Sequence, residues 1–452
     1  MPQARFGTDG LRGVANGDLT AEVAIALGRA VGRVLPAHTF VVGRDTRRSG
    51  PLLQAALSAG LATEGADVLD IGVVPTPAVA YVCQRRGLPG AMVSASHNPF
   101  GDNGIKVFGD GGTKLPTQTE AVVEHELDLV LDDPGHPPRR PTGHGVGVIG
   151  TEPGAADDYR AHLRGSVEGR RLDGLRVVLD CANGSAAAFA PEVFAGLGAE
   201  VLAIACDPDG ANINHECGST HPETLARTVV DTGADLGLAF DGDADRLVAV
   251  DHTGVVADGD VLLALFALDL AERDLLPGNK VVVTVMTNLG FRRAMAERGI
   301  AVLETPVGDR AVLEGLDAEG LALGGEQSGH IVFRRAATTG DGMLTGLQLA
   351  DLVLRRDRHL AALSAGLIDR VPQLLVNVPV ADPGRLESAE DVWRAVAEVE
   401  LQLGQTGRVL LRASGTEPLV RVMVEAPTED QAEWAANRLR SAVQHSLGAV
   451  PA

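Results

Sequence analysis

The 452 residues carry Lys+Arg 39 against Asp+Glu 60, a formal net charge of −21, which argues against a nucleic-acid or anionic-membrane binder, since phosphate backbones require a net basic surface. Hydrophobic residues at 45% and aromatics at 3% exclude general disorder and imply cores of Ala, Val, Leu and Ile. No apolar run approaches the ~20 residues of a membrane span, the first ten residues hold no apolar signal-peptide region, and Cys83, Cys181, Cys206 and Cys217 form no CxxC pair, as expected of reduced thiols in a cytoplasmic protein.

At roughly 100–200 residues per domain, the length implies several domains. In chain order, a helical pattern at 21–35 precedes an apolar run at 39–42. A second helix at 52–64 precedes runs at 66–71 and 91–93. A Pro/Gly-rich stretch, 132–154, closes this first block, and the predicted domain is 1–150. The glycines at 145, 147 and 150 fit GxGxxG. A Pro/Gly loop precedes them and Pro153-Gly154 follows, so the expectation is a turn or small hairpin and no dinucleotide site.

The second block, 151–250, has runs at 177–179, 201–204, 236–240 and 247–251, with a helix at 191–197. The third, 251–368, has runs at 281–285, 301–303 and 321–323. The last, 369–452, reads strand (374–378), helix (389–403), hairpin (409–412 with 420–424) and helix (429–444), with Pro379 at a strand end. Strand–helix alternation predicts three α/β blocks with largely parallel sheets and a smaller α+β domain. Ligand loops then belong at the carboxyl ends of the strands.

Five segments carry chemistry. Ser94-Ala95-Ser96-His97-Asn98-Pro99 follows the run at 91–93. Its serines suit an ST-turn, and equally an exposed serine that carries a phosphoryl group beside a cation. Asp241-Gly242-Asp243-Ala244-Asp245-Arg246 follows the run at 236–240. Three carboxylates on one loop repel one another unless a hard cation such as Mg²⁺ neutralises them, and Arg246 could clamp a phosphate beside it. Gly325-Glu326-Gln327-Ser328-Gly329-His330 sets polar side chains between glycines, which suits a surface hairpin turn and equally the recognition of hydroxyls. Arg412-Ala413-Ser414-Gly415-Thr416-Glu417-Pro418, with Arg421 beyond, offers backbone N–H groups, hydroxyls and two arginines to a dianion. Phe6-Gly7-Thr8-Asp9-Gly10-Leu11-Arg12-Gly13 on its own residues reads first as an ordinary surface turn, and alternatively as a glycine-rich loop that positions Arg12. Only Lys106, Lys114 and Lys280 are lysines. Lys106, ten residues past Ser96, is a candidate acid/base, because lysine can release a proton and arginine effectively cannot.

In this order the segments resemble the α-D-phosphohexomutases over nearly the whole chain. Phe6–Gly13, Asn212-Ile213-Asn214, Cys217-Gly218-Ser219-Thr220-His221 and Gln327 are similar to the bacterial members that act on glucosamine phosphates. The resemblance implies three similar α/β domains and a fourth resembling the TATA-binding-protein fold, heart-shaped around a central cleft. It implies a phosphoserine at Ser96, with its phosphate joining Asp241, Asp243 and Asp245 on one Mg²⁺. Arg12, Lys106, Arg246 and His330 would stand near the reacting groups, with Lys106 or His330 as acid/base. Glu326 and Ser328 would meet sugar hydroxyls. Arg412, Ser414, Gly415, Thr416 and Arg421 would hold the non-reacting phosphate. The implied partner is a small hexosamine phosphate, with glucosamine or glucose 1,6-bisphosphate as primer. Members often form homodimers.

Overall fold

Apolar runs become strands and Ala/Leu-rich runs become helices in a computed structural model that describes residues 6–7, 10–133, 140–414 and 418–448. The first sheet holds β1 (Phe6–Gly7), β2 (Gly10–Val14), β3 (Thr39–Arg44), β4 (Asp67–Val73), β5 (Gly90–Val93), β6 (Asp102–Phe108) and β7 (Ile149–Thr151), in the order β1-β2-β6-β5-β3-β4-β7. The second holds β8 (Arg176–Asp180), β9 (Glu200–Ile204), β10 (Leu236–Phe240), β11 (Leu247–Asp251) and β12 (Val256–Ala257), in the order β12-β11-β10-β8-β9. The third holds β13 (Lys280–Thr284), β14 (Ala301–Thr305), β15 (Leu323–Gly325) and β16 (Ile331–Phe333), in the order β14-β13-β15-β16. The fourth holds β17 (Gln373–Pro379), β18 (Arg408–Ala413) and β19 (Leu419–Glu425), in the order β17-β19-β18 and wholly antiparallel.

The first three sheets are mixed: the inner pairings are parallel, as expected, and antiparallel strands are added at one side. In each, one strand runs parallel to its inner neighbour, ends in a chemistry-bearing loop, and returns antiparallel. The pairs are β5 with β6 (Val93 opposite Ile105), β10 with β11 (Phe240 opposite Leu247) and β15 with β16 (Gly325 opposite Ile331). Loops 94–101, 241–246 and 326–330 are too short for the crossover that a parallel return requires. The same strand–loop–strand unit therefore presents all three segments.

The GxGxxG stretch forms no hairpin. A short 3₁₀ turn, Gly143–Gly145, leads into β7, which pairs parallel to β4 with Ile149 opposite Val68. Gly147 is there for close approach, since a Cβ would meet Ala66 O at 2.0 Å.

Two helices, Ala21–Val34 and Gly50–Thr63, pack closely in the core under the first sheet. Their crossing is glycine on glycine: a Cβ on Gly28 would meet Leu57 O at 2.2 Å, and one on Gly60 would meet Ile25 O at 2.2 Å. Gly28→Ala is expected to destabilise the protein by about 2–3 kcal/mol through overpacking. A thermal melt followed by circular dichroism would register it, and an unshifted midpoint would show that the helices separate at no cost.

The chain forms two compact units. Met1–Met286 with Ile300–Leu367 carries the first three sheets; Thr287–Gly299 with Ile368–Ala452 carries the fourth. The helix Leu289–Glu297 belongs to the second unit. There its cap residue Asn288 donates Nδ2 to Val371 O at 2.9 Å, and Leu289 N donates to Glu425 Oε1 at 3.1 Å. Helices Glu390–Leu403 and Glu429–Leu447 bury their apolar faces in the core of that unit. Pro379 ends the edge strand β17, where a missing N–H costs no ladder bond. Among the described residues, no helix is long and apolar enough to cross a membrane.

Candidate active site

The buried strand β5 delivers the chain to Ser94. Ser94 Oγ accepts from Ser96 N at 2.9 Å and donates to Asp45 Oδ2 at 2.7 Å. That local bond is an ST-turn, and it carries Ser96 into the left-handed region at φ 52°. A non-glycine residue held there costs on the order of 1–3 kcal/mol, and such strain gathers at functional sites. Ser96 is 1% exposed, and its Oγ donates to Asp241 Oδ2 at 2.6 Å.

β10 is buried along its whole length and ends at the three aspartates. Ala244, at φ 55°, turns the loop so that all three carboxylates converge. One oxygen from each of Asp241, Asp243 and Asp245 lies within 4.8 Å of the others. Thr76 Oγ1 donates to Asp243 Oδ2 at 2.6 Å, and Lys106 Nζ donates to Asp243 Oδ2 at 2.9 Å and Asp245 Oδ2 at 3.2 Å. Among the described residues, Asp243 Oδ1 and Asp245 Oδ1 are buried without a hydrogen-bond partner. Buried carboxylate oxygens with no donor are costly, and a hard cation would satisfy both. The donor set fits a divalent metal.

The electrostatics divide the carboxylates. Burial, then the charges of Asp245 and Asp243, push Asp241 well above the usual carboxylate range. Burial works the same way on Asp245, but Lys106, His330 and Arg246 outweigh it and hold that carboxyl well below the range. His97, with Nδ1 3.3 Å from Ser96 Oγ, is lowered to about 4 by burial and by Arg246 and Arg12. It therefore faces the serine as a neutral ring.

His330 is fully enclosed. Burial lowers its proton affinity, while Asp245, 3.7 Å from Nδ1, more than offsets that and raises it. Its Nε2 accepts from Gly340 N at 3.0 Å. A backbone N–H can only donate, so Nε2 carries no proton in this arrangement, and the ring's N–H is Nδ1, facing Asp245. A Cβ on Gly340 would sit 2.6 Å from the ring.

The remaining predicted residues fall as follows. Arg12, on β2, donates Nη1 to Asn98 Oδ1 at 3.4 Å. Arg246 N donates to Asp241 Oδ1 at 3.2 Å, and its Nε is 3.8 Å from Asp245 Oδ1. Glu326 Oε1 accepts from Gly308 N at 3.1 Å, and Ser328 Oγ is buried without a hydrogen-bond partner among the described residues. In the second unit, Arg412 on β18 stands directly opposite Arg421 on β19. Like charges so placed destabilise a sheet unless an anion joins them. Ser414 N donates to Leu419 O at 2.9 Å. Gly415 and Thr416 lie outside the described residues, as do Thr8 and Asp9. Lys114 bonds Asp309 at 2.8 Å, a structural role. Sequence reasoning missed Thr76, Asp45 and Arg47. Pro75-Thr76-Pro77, just after β4, was the available signal for Thr76.

A buried serine hydroxyl against a carboxylate cluster that can hold a metal, set on repeated α/β units, is the arrangement of a phosphosugar mutase. Four family models, described as phosphoglucomutase/phosphomannomutase α/β/α domains I, II and III and C-terminal domain, match residues 3–129, 157–254, 258–371 and 375–442. The chain belongs to the phosphoglucomutase/phosphomannomutase family. It is 53% identical over 454 residues to the phosphoglucosamine mutase of Streptomyces coelicolor, covering 98% of this chain and 99% of that one. A phosphoglucomutase/phosphomannomutase family protein from Burkholderia thailandensis superposes with a TM-score of 0.79 at 28% identity, covering 98% of each chain. The N-acetylphosphoglucosamine mutase of Aspergillus fumigatus, in complex with GlcNAc-6P and magnesium, shares the fold with a TM-score of 0.70 at 18% identity, over 98% of this chain and 96% of that one.

Proposed function

We propose that the chain interconverts glucosamine 6-phosphate and glucosamine 1-phosphate through a phosphoserine at Ser96 and a 1,6-bisphosphate, supplying UDP-N-acetylglucosamine and cell-wall precursors. The observation that carries this reading is the Ser96 Oγ bond to Asp241 within a cluster whose Asp243 and Asp245 oxygens could serve a divalent cation. Sequence similarity to phosphoglucosamine mutases supports the choice of sugar.

The substrate hydroxyl attacks the phosphorus on Ser96, the bond to Oγ breaks, and the resulting bisphosphate returns its other phosphate to Ser96. Asp241, Asp243 and Asp245 would hold Mg²⁺, which when bound offsets negative charge developing on the transferred group. Lys106 or His330 would take or return the hydroxyl proton, His330 only after its bond with Gly340 N or Asp245 gives way. Lys106 is 2% exposed and tied to two carboxylates, so its ammonium is already placed and desolvated. Arg12 and Arg246 would face the anionic centre, and Glu326 and Ser328 the sugar hydroxyls. Arg412, Ser414, Gly415, Thr416 and Arg421 would grip the phosphate that is not reacting.

The deciding experiment offers glucosamine, mannose and glucose 6-phosphates in turn, with glucose 1,6-bisphosphate as primer. Faster conversion of the mannose or glucose ester would overturn the choice of sugar. Arg421→Ala is expected to raise KM by roughly tenfold, with kcat within about twofold, because that phosphate is held equally before and during chemistry. A loss confined to kcat would contradict the cradle.

A further inference from the structure

Two side chains from different blocks of the first unit converge on the backbone of the serine loop. Arg47 is fully buried, and its guanidinium uses all five donors. Nε donates to Asp45 Oδ2 at 2.9 Å, Nη1 to Pro99 O and to Asp102 O at 3.0 Å, and Nη2 to Ser96 O at 2.9 Å and Asn98 O at 2.8 Å. Asn214 comes from the other side. Its Nδ2 donates to Ser96 O at 2.9 Å and Asn98 O at 3.0 Å. Each nitrogen gives one hydrogen to each carbonyl, and each carbonyl receives two donors, which fills its lone pairs. The orientation of the Asn214 amide follows, since only its nitrogen can face two carbonyls.

The clamp closes a cage around one strained residue. Ser96 N–H is held by Ser94 Oγ, Ser94 Oγ by Asp45 Oδ2, and Asp45 by Arg47, while Ser96 C=O is held by Arg47 and Asn214. The loop around it leaves no slack: a Cβ on Gly242 would meet Ser96 O at 2.7 Å and Asn214 Nδ2 at 2.9 Å. Asn214 itself sits at φ 57°, which asparagine tolerates well.

We infer that Arg47 and Asn214 are positioning residues that keep Ser96 in its left-handed conformation and aim its Oγ at the carboxylate cluster; Asn214 acts through the serine loop and not by touching the sugar. Its bearing on turnover rests on the proposed mutase activity; the cage itself does not.

Asn214→Gly tests this, because glycine accepts φ 57° without strain while the amide donor is lost with the rest of the side chain. Two readouts are taken on the full chain. Hydrogen exchange of peptides spanning 94–102 should speed up about tenfold or more while exchange elsewhere stays as in the parent. Turnover of glucosamine 6-phosphate should fall in kcat by on the order of 10- to 100-fold, with KM within about twofold, as misplacement of a reacting atom predicts. Asn214→Asp keeps the shape, turns donors into acceptors, and should act in the same direction; it serves if the glycine variant folds poorly. Parent-like exchange at 94–102 would overturn the inference, whatever the turnover. So would a rise in KM at unchanged kcat, which would put Asn214 on the substrate, or faster exchange throughout, which would make it merely structural. If the parent converts none of the sugar phosphates, the functional reading fails while the exchange measurement still judges the clamp.

Discussion

Ser96→Ala is expected to lower mutase turnover by roughly 10⁴-fold or more, because no other group could carry the phosphoryl between the two sugar positions. The geometry makes the loss specific. Ser96 Oγ is the atom that reaches Asp241 at 2.6 Å, inside the carboxylate cluster. Folding should be little affected, since the cage holds the Ser96 backbone and its hydroxyl makes one bond to a carboxylate that burial already drives toward its protonated form. The measurement is formation of glucosamine 1-phosphate, with intact mass spectrometry of both proteins after incubation with glucose 1,6-bisphosphate. The parent should gain a phosphate on the peptide containing Ser96 and the variant should not. Turnover within tenfold of the parent would exclude the phosphoserine role.

Local segments of the chemistry were legible because each sits where an apolar run stops. β5 ends before Ser94, β10 before Asp241 and β15 before Glu326, and an abrupt change from buried to polar residues is visible in one dimension. The direction of the returning strand was also encoded, in loops too short for a crossover, but strand alternation with helices outweighed it, so the expectation of largely parallel sheets missed the antiparallel returns. Arg47 and Asn214 were not legible as partners. They lie far apart in the chain and meet only because the first and second blocks pack together, at carbonyl oxygens that every sequence possesses. Thr76 is similar: its bond to Asp243 spans 167 positions. What a sequence hides here is the support of the site more than its reacting groups. The net charge of −21 is equally silent on local charge, since the total says nothing of three aspartates whose ligand oxygens lie within 4.8 Å of one another.

Asp243→Asn is the sharpest test of that cluster, and it should raise the Mg²⁺ concentration needed for half-maximal activity by about a hundredfold while lowering kcat at saturating metal by on the order of 10²-fold. The Asp243 carboxylate works on both edges. Oδ2 accepts from Thr76 and Lys106, and Oδ1 is the oxygen left for a cation. An amide cannot do both. With its nitrogen toward Lys106, it sets a donor against an ammonium; with its nitrogen toward the metal position, it removes a ligand and points N–H at a cation. Removing the charge also withdraws one of the groups that raise Asp241, whose carboxyl then ionises more readily and partly compensates for the lost charge, though not for the lost ligand geometry. Isothermal titration with Mg²⁺ alone gives a readout independent of turnover. Weakened binding together with a shifted activity midpoint is the expected pair of results. An unchanged midpoint with parent-like binding would mean that the three aspartates are neutralised by Lys106 and Arg246 and serve only to hold the loops together.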